Sequence, residues 1–183
     1  MKSNQILRLA LIRNAVHRHG GVERYVWGFA RDLSYRGHEV HLFAKRWKGP
    51  PPGVVCRPVG RIGGLSVSKV RSFAKGVMGA LQGETFDGIF NFDRTPIYGI
   101  YRAGEGCHRE WLRVANQHLP MGARILRRLD PVHAFHLSME RQLFSDRLAP
   151  CVVAISQRVR KDILRHYGGS DTTGIREKNV KVI

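Results

Sequence analysis

The stretch Leu7-Arg8-Leu9-Ala10-Leu11-Ile12 is a short, mostly apolar run that reads as a buried strand. Residues 14–21 break it, and Val22, Val26, Phe29 and Leu33 then recur at helical spacing, with Arg24 and Arg31 off that stripe and a stop near Gly37. Glu39-Val40-His41-Leu42-Phe43 follows as a second strand. A strand, an amphipathic helix and a second strand in this order predict a βαβ unit with parallel strands.

The same alternation runs on. Beyond the breaker Pro50-Pro51-Pro52-Gly53, residues 54–59 read as a third strand and residues 68–82 as a helix with Val70, Phe73, Val77 and Leu81 inward. Asp87-Gly88-Ile89-Phe90-Asn91 is a fourth strand and residues 98–103 a fifth. Helices are expected near 107–117, 121–129 and 132–144, then a strand at 151–155 and a helix capped by Ser156 that runs to Tyr167 and stops at Gly168-Gly169. The predicted fold class is α/β, a doubly wound and mainly parallel sheet, with residues 1–183 as one domain. Asn179-Val180-Lys181-Val182-Ile183 reads as a strand just beginning. The expectation is a domain cut from a longer protein, with a short natural edge strand as the alternative.

Composition bounds the function. Of the 183 residues 43% are hydrophobic, enough for a sizeable core, which excludes disorder, collagen-like repeats and a coiled coil. Lys and Arg number 31 against 14 Asp and Glu, a net charge of +17 that calls for a polyanionic partner: nucleic acid, an acidic membrane face or a phosphorylated substrate. Between positions 45 and 83 there are eight basic residues (Lys45, Arg46, Lys48, Arg57, Arg61, Lys69, Arg71, Lys75) and no Asp or Glu. Cys56, Cys107 and Cys151 lie at wide spacings without a CxxC, which excludes a disulfide framework and a cysteine zinc site and favours a reducing compartment. Nine histidines without HExxH spacing give no support to a metal site. The only apolar run near the start, 6–12, is interrupted by Arg8, so no secretory signal is expected. No window reaches the roughly 18 apolar residues of a membrane span. A soluble or peripheral cytoplasmic chain is expected.

Three segments carry candidate chemistry. Gly20 and Gly21 stand in the first βα loop, where an open α/β sheet binds ligands at the carboxyl ends of its strands and a helix N-terminus favours an anion. The alternative is a tight turn that needs a positive φ. Glu105 and His108, in Ala103-Gly104-Glu105-Gly106-Cys107-His108, also fall between a strand and a helix. They suit orientation of a substrate hydroxyl or acceptance of its proton, and the alternative is that Glu105 caps the helix. In the basic region 108–135, Met121, Ile125, Leu126 and Leu129 share one helical face while Arg124, Arg127 and Arg128 lie away from it. With Trp111 and Arg113 upstream this suits a helix lying on an anionic bilayer, or an ordinary amphipathic helix packed on the core.

Arg18-His19-Gly20-Gly21-Val22-Glu23-Arg24 and Arg36-Gly37-His38-Glu39-Val40-His41-Leu42-Phe43 together resemble the opening of retaining GT-B glycosyltransferases of family four: strand, Gly-Gly loop, long helix and a GHEV entry into the second strand. The likeness continues at 86–91, at 149–167 and at Val180-Lys181-Val182-Ile183, and so covers nearly the whole chain as the N-terminal half of a two-domain enzyme. Residues 90–105 look most like the lipopolysaccharide core glucosyltransferases. The resemblance implies retaining hexosyl transfer from a nucleotide-diphosphate sugar to a lipid-linked or lipopolysaccharide acceptor, without metal or other cofactor. It implies an acceptor-side domain inactive without a C-terminal donor-binding domain, at the cytoplasmic face of the inner membrane. It further implies that Gly20 and Gly21 face the donor diphosphate and the acceptor. Glu105, or alternatively His108, stands where that group carries an acid near the transferred sugar, although theirs is typically Asp. Trp111, Arg113, Arg124, Arg127 and Arg128 match the region that meets the membrane. The competing reading is a nucleic-acid-binding α/β protein, which the charge allows but no RRM, KH, helix-turn-helix or finger pattern supports.

Overall fold

The computed structural model describes residues 5–17, 20–60, 66–145, 148, 151–169 and 174–183, without the side chains of 66–69. Arg18 and His19 of the first loop, Arg61, the Lys69 side chain and Ala149 lie outside the described residues. The chain divides into two compact units, Met1–Asp93 and Arg94–Ile183. Both are built of parallel strands and helices, the α/β class that the alternation predicts.

In the first unit β1 (Arg8–Ile12) leads through the two-residue β2 (Ala15–Val16) into α1 (Gly21–Tyr35). Then come β3 (Glu39–Ala44), β4 (Arg46–Trp47), β5 (Val54–Pro58), α2 (Ser66–Leu81) and β6 (Gly88–Asn91). β1 lies between β3 and β6, parallel to both: Leu9 stands opposite Val40 and Gly88, Ile12 opposite Phe43 and Asn91. β5 extends this sheet beyond β3. Leu9 and Leu11, with Val40, Leu42 and Ala44, form one apolar face, which packs with Val26 and Ala30 of α1. Ala10, Ile12 and Phe43, on the other face, are equally buried, as are Phe73 and Val77 of α2. Burial on both faces explains why these strands read as continuous apolar runs and not as alternating ones.

The order in which strands are added reverses at β1. The β1-α1-β3 crossover runs one way, and the chain returns through α2 to β6 on the other flank of β1. Right-handed crossovers then put α1 and α2 on opposite faces, and the junction of β1 and β6 becomes the switch point where such sheets open a crevice.

The second unit comprises β7 (Ile100–Ala103), α3 (His108–Asn116), α4 (Met121–Leu129), α5 (Pro131–Leu143), β8 (Cys151–Ala154), α6 (Gln157–Tyr167) and β9 (Val180–Val182). β8 pairs in parallel with β7 and with β9. Tyr101, Leu143, Phe144, Val152, Ile163 and Val180 are central to its core. Ser156 accepts a hydrogen bond from the Val159 N–H at 3.2 Å, as a cap should.

Two details depart from the sequence reading, and a third shows how its helix stop is made. The fifth strand begins at Ile100, because Tyr98 and Gly99 form a bend in which Gly99 adopts φ 143. The parallel pair β2 with β4 was not expected, since two-residue strands leave no periodicity. Gly168 stops α6 in an extended conformation, φ −67; glycine is needed there because a Cβ would run into the Leu164 carbonyl.

Gly20 and Gly21 separate cleanly. Gly20 precedes α1 at φ 90, ψ 162, a region open essentially to glycine alone, whereas Gly21 is helical with nothing within 4 Å of a built Cβ. Gly20→Ala is therefore expected to cost about 1–3 kcal/mol and Gly21→Ala to be neutral or mildly stabilising, as read by urea denaturation of the two variants.

Candidate functional site

The carboxyl ends of β1 and β6 carry a compact ionic arrangement. Arg13, nearly buried, donates from Nη2 to Glu23 Oε1 at 2.8 Å and from Nη1 to the Phe92 carbonyl at 3.0 Å, with Asp93 Oδ1 at 3.4 Å. Asp93 in turn accepts from the Asn14 N–H. Glu23 lies in the first turn of α1, and its Oε2 fills the space 2.7 Å from where a Gly20 side chain would begin. Burial pushes the Glu23 carboxyl up, but hydrogen bonds from Arg13 and its own backbone N–H outweigh that and hold it below the ordinary range. The anion-favouring N-terminus of α1 thus already faces a carboxylate, and Gly21 presents open backbone beside it.

The predicted run of unopposed positive charge is partly answered in space. Arg57 pairs with Glu84, one residue past the stretch, at 3.4 Å, and its Nε donates to His41 Nδ1 at 3.2 Å. Lys45 is nearly buried, its ammonium 6.0 Å from the Phe73 ring centroid.

In the second unit Glu105 and His108 come together at the carboxyl end of β7. With Arg94, Trp111, His133 and His136 they line a cleft of about 310 Å³. Arg94 donates from Nη1 to Glu105 Oε2 and from Nη2 to the Glu105 carbonyl, both at 3.0 Å. The His108 ring stacks on Trp111, centroids 5.5 Å apart and planes at 13°, and its Nε2 lies 3.2 Å from His133 Nδ1. Burial and the Arg94 charge, with the neighbouring His136 and His133, hold the His108 ring down to about 4, so it is neutral at pH 7. Burial first, and then Arg94, lower His136 in the same direction. Among the described residues no group of three or more His, Cys, Asp or Glu side chains is arranged to hold a metal ion.

Glu105 does not cap α3. That helix begins after Cys107, whose side chain makes no capping bond, and the cap comes from Glu140 on α5. Glu140, at 0% exposure, accepts from the His108 N–H at 2.5 Å, the Arg109 N–H at 3.2 Å and the Tyr167 hydroxyl at 2.8 Å, and pairs with Arg94 Nε at 3.2 Å. Burial and the Glu140 charge push the neighbouring Cys107 thiol up to about 12 and raise the Tyr167 phenol. Sequence reasoning missed Arg94, His133, His136 and Glu140. The legible signal was on α5, where His133, His136 and Glu140 recur at i, i+3 and i+7, one polar stripe on a helix that otherwise buries Met139 and Leu143.

The basic helical region is not core. None of the α4 residues is buried, and Leu126 and Leu129 are 73% and 72% exposed. Arg124 donates to the Leu119 and Gln117 carbonyls at 2.7 and 3.2 Å, in the turn just past α3, and Arg127 to the Ala115 carbonyl in its last turn at 3.2 Å. Arg113 is held by Glu110 at 2.7 Å, and Trp111 is half-exposed with the Arg127 guanidinium 5.8 Å from its ring. Glu110 also meets His166 at 2.7 Å, and these partners hold its carboxyl down to about 2. A groove of about 700 Å³ between α3, α4 and α5 has Leu112, Ile125 and Leu137 among its apolar lining and Arg124, Arg128 and Arg141 among its basic lining. No helix among the described residues is long and apolar enough to cross a membrane.

Parallel α/β units of this topology are the architecture of the N-terminal half of a GT-B glycosyltransferase. The chain belongs to glycosyltransferase family 4, whose model matches residues 19–183. Its fold is similar to that of WaaG, a glycosyltransferase involved in lipopolysaccharide biosynthesis, with a TM-score of 0.78 at 18% identity over 96% of this chain and 44% of that one. It is also similar to sucrose-phosphate synthase from Thermosynechococcus elongatus, TM-score 0.58 at 14% identity over 97% of this chain and 47% of that one. At these identities the likeness is one of fold, and the chain spans less than half the length of either protein. No curated protein matches the chain.

The depressed His108 value makes folding pH-dependent. The unfolded ring takes up its proton near the ordinary 6.5, before the folded one, so the stability contributed by the neutral ring is complete above pH 6.5 and lost as pH falls toward 4. Urea titrations across that window should show a loss of about 1–3 kcal/mol that shrinks clearly in His108→Gln.

Proposed function

We propose that the chain is the acceptor-side half of an enzyme that moves a hexose from a nucleotide-diphosphate sugar onto a lipid-linked acceptor of the lipopolysaccharide-core type, with retention of the anomeric configuration. The observation that carries this reading is the shared cleft of Glu105 and His108 at the carboxyl end of β7. The acceptor hydroxyl binds between a carboxylate that accepts its hydrogen bond and a neutral imidazole, one of whose two ring nitrogens is already engaged by His133. As the bond from the anomeric carbon to the diphosphate breaks, that hydroxyl oxygen forms the new one, its proton passes to the Glu105 carboxylate, and the nucleoside diphosphate departs with the bonding electron pair. The open backbone at Gly21, at the N-terminus of α1, approaches the donor diphosphate. A C-terminal half supplies the rest of the donor site; no metal is required.

The acceptor and the surface it sits in account for the basic region. The solvent-facing apolar residues of α4 lie on an anionic bilayer at the cytoplasmic face of the inner membrane. Its arginines, with the 700 Å³ groove they flank, meet phosphorylated head groups. Each Lys or Arg near such a surface adds about 1 kcal/mol, so several hold the protein without a span.

Two measurements test the reading. The 183-residue chain alone should turn over no nucleotide sugar, while the full-length protein should, and Glu105→Gln there should lower transfer by about 10²-fold or more with its melting temperature preserved. Unaltered transfer by Glu105→Gln rejects the cleft. Vesicles containing anionic lipid should bind the chain, neutral ones should not, and the binding should fade with added salt. Leu126→Asp with Leu129→Asp should abolish it at unchanged stability. Sequence-selective duplex DNA binding at physiological salt, with vesicles ignored, would favour a nucleic-acid partner.

A further inference from the structure

We propose that Glu140 is a positioning residue for this transfer: without touching either substrate, its carboxylate sets where Glu105 and His108 stand. The inference rests on the reading of the cleft given above. Its basis is the path of contacts through one buried group. From Oε1, one path runs to the His108 backbone N–H at 2.5 Å, which fixes the first residue of α3 and with it the imidazole. The other runs to Arg94 Nε at 3.2 Å, and Arg94 grips Glu105 by both its side-chain oxygen and its carbonyl at 3.0 Å. Oε2 is occupied by the Arg109 N–H at 3.2 Å and the Tyr167 hydroxyl at 2.8 Å, so both oxygens of the carboxylate are engaged.

A merely structural role does not call for this arrangement. A Ser or Asp at position 107 would cap α3 locally, at the surface, without burying a charge. Here Cys107 makes no side-chain cap, and the helix start is fixed instead by a residue 32 positions away, itself wholly buried. Burying a carboxylate is costly unless every oxygen is matched, so the arrangement is stiff. Arg94, reaching both carboxylates, transmits that stiffness to Glu105, and a reacting pair held in register is what transfer requires.

Four variants of the full-length protein test this, each measured for kcat, for KM toward the nucleotide sugar and for melting temperature. Glu140→Gln keeps the length and one carbonyl acceptor but releases Arg94. Arg94→Lys leaves the α3 cap intact and removes the two-pronged grip on Glu105. Both are expected to lower kcat by about ten- to a hundredfold with KM changed less than about twofold. Tyr167→Phe removes a donor from the same carboxylate while leaving Arg94 in place; it should lower the melting temperature and keep kcat within about threefold. Glu105→Gln is the benchmark. If it abolishes transfer while Glu140→Gln and Arg94→Lys work as the parent does, the positioning role is overturned and the cleft stands. The role also falls if kcat merely follows melting temperature across all four. If Glu105→Gln transfers normally, the cleft reading fails first and the positioning role goes with it. Should Glu140→Gln not fold, Arg94→Lys decides alone.

Discussion

A carboxylate in a protein interior is tolerated only when donors surround it, and the second unit is organised around satisfying one. Removing the partners of such a group leaves a penalty on the order of 3–5 kcal/mol, comparable with the net stability of a small domain. Glu140 draws those donors from three places, the first turn of α3, the end of α6 through Tyr167, and weakly the Cys107 thiol at 4.0 Å, and the Arg94 guanidinium from the segment before β7 adds an ion pair at 3.2 Å. Helix packing alone tolerates small slips. A buried charge that must meet backbone N–H groups at hydrogen-bond distance does not. The register of α3 against α5 and α6 follows from that requirement, and so does the shape of the cleft above it.

The first unit meets the same problem with the opposite sign. Arg13 follows β1 directly, almost out of solvent, and its positive charge is met by Glu23 from α1 and by Asp93 and the Phe92 carbonyl beyond β6. In each unit a charge near the carboxyl ends of the strands ties loops that apolar packing would leave free to drift. Both charges lie where α/β sheets place their chemistry.

The fold was legible because its signal is local. Short apolar strands, a helix stripe at Val22, Val26, Phe29 and Leu33, and a Ser156 cap each declare themselves within a dozen residues, and the boundaries of α4 fell on the predicted positions. The site was legible by halves. Glu105 and His108 stand out because glycines flank them at a strand end, whereas Arg94 and Glu140 belong to the same arrangement from 11 and 35 positions away from Glu105, a relation that spacing does not encode. The polar stripe His133, His136, Glu140 was the one trace of it. For α4 the amphipathic pattern was plain, but core packing and solvent exposure give the same pattern, and only the neighbouring helices decide between them.

The arginines of α4 do two things with one side chain. Guanidinium carries five donors; Arg124 gives one from Nε and one from Nη2 to the Leu119 and Gln117 carbonyls of the turn after α3, and the others point elsewhere. The turn between α3 and α4 is thereby built from the same groups that give the surface its charge. A lysine would preserve the electrostatic potential and lose the corner, because a point charge on a flexible stem has no fixed fork to divide between two tasks. The surface is thus tied to its own turn by hydrogen bonds from the side chains that give it charge. A partner docking on that surface would find the helix already formed, with no backbone left to order.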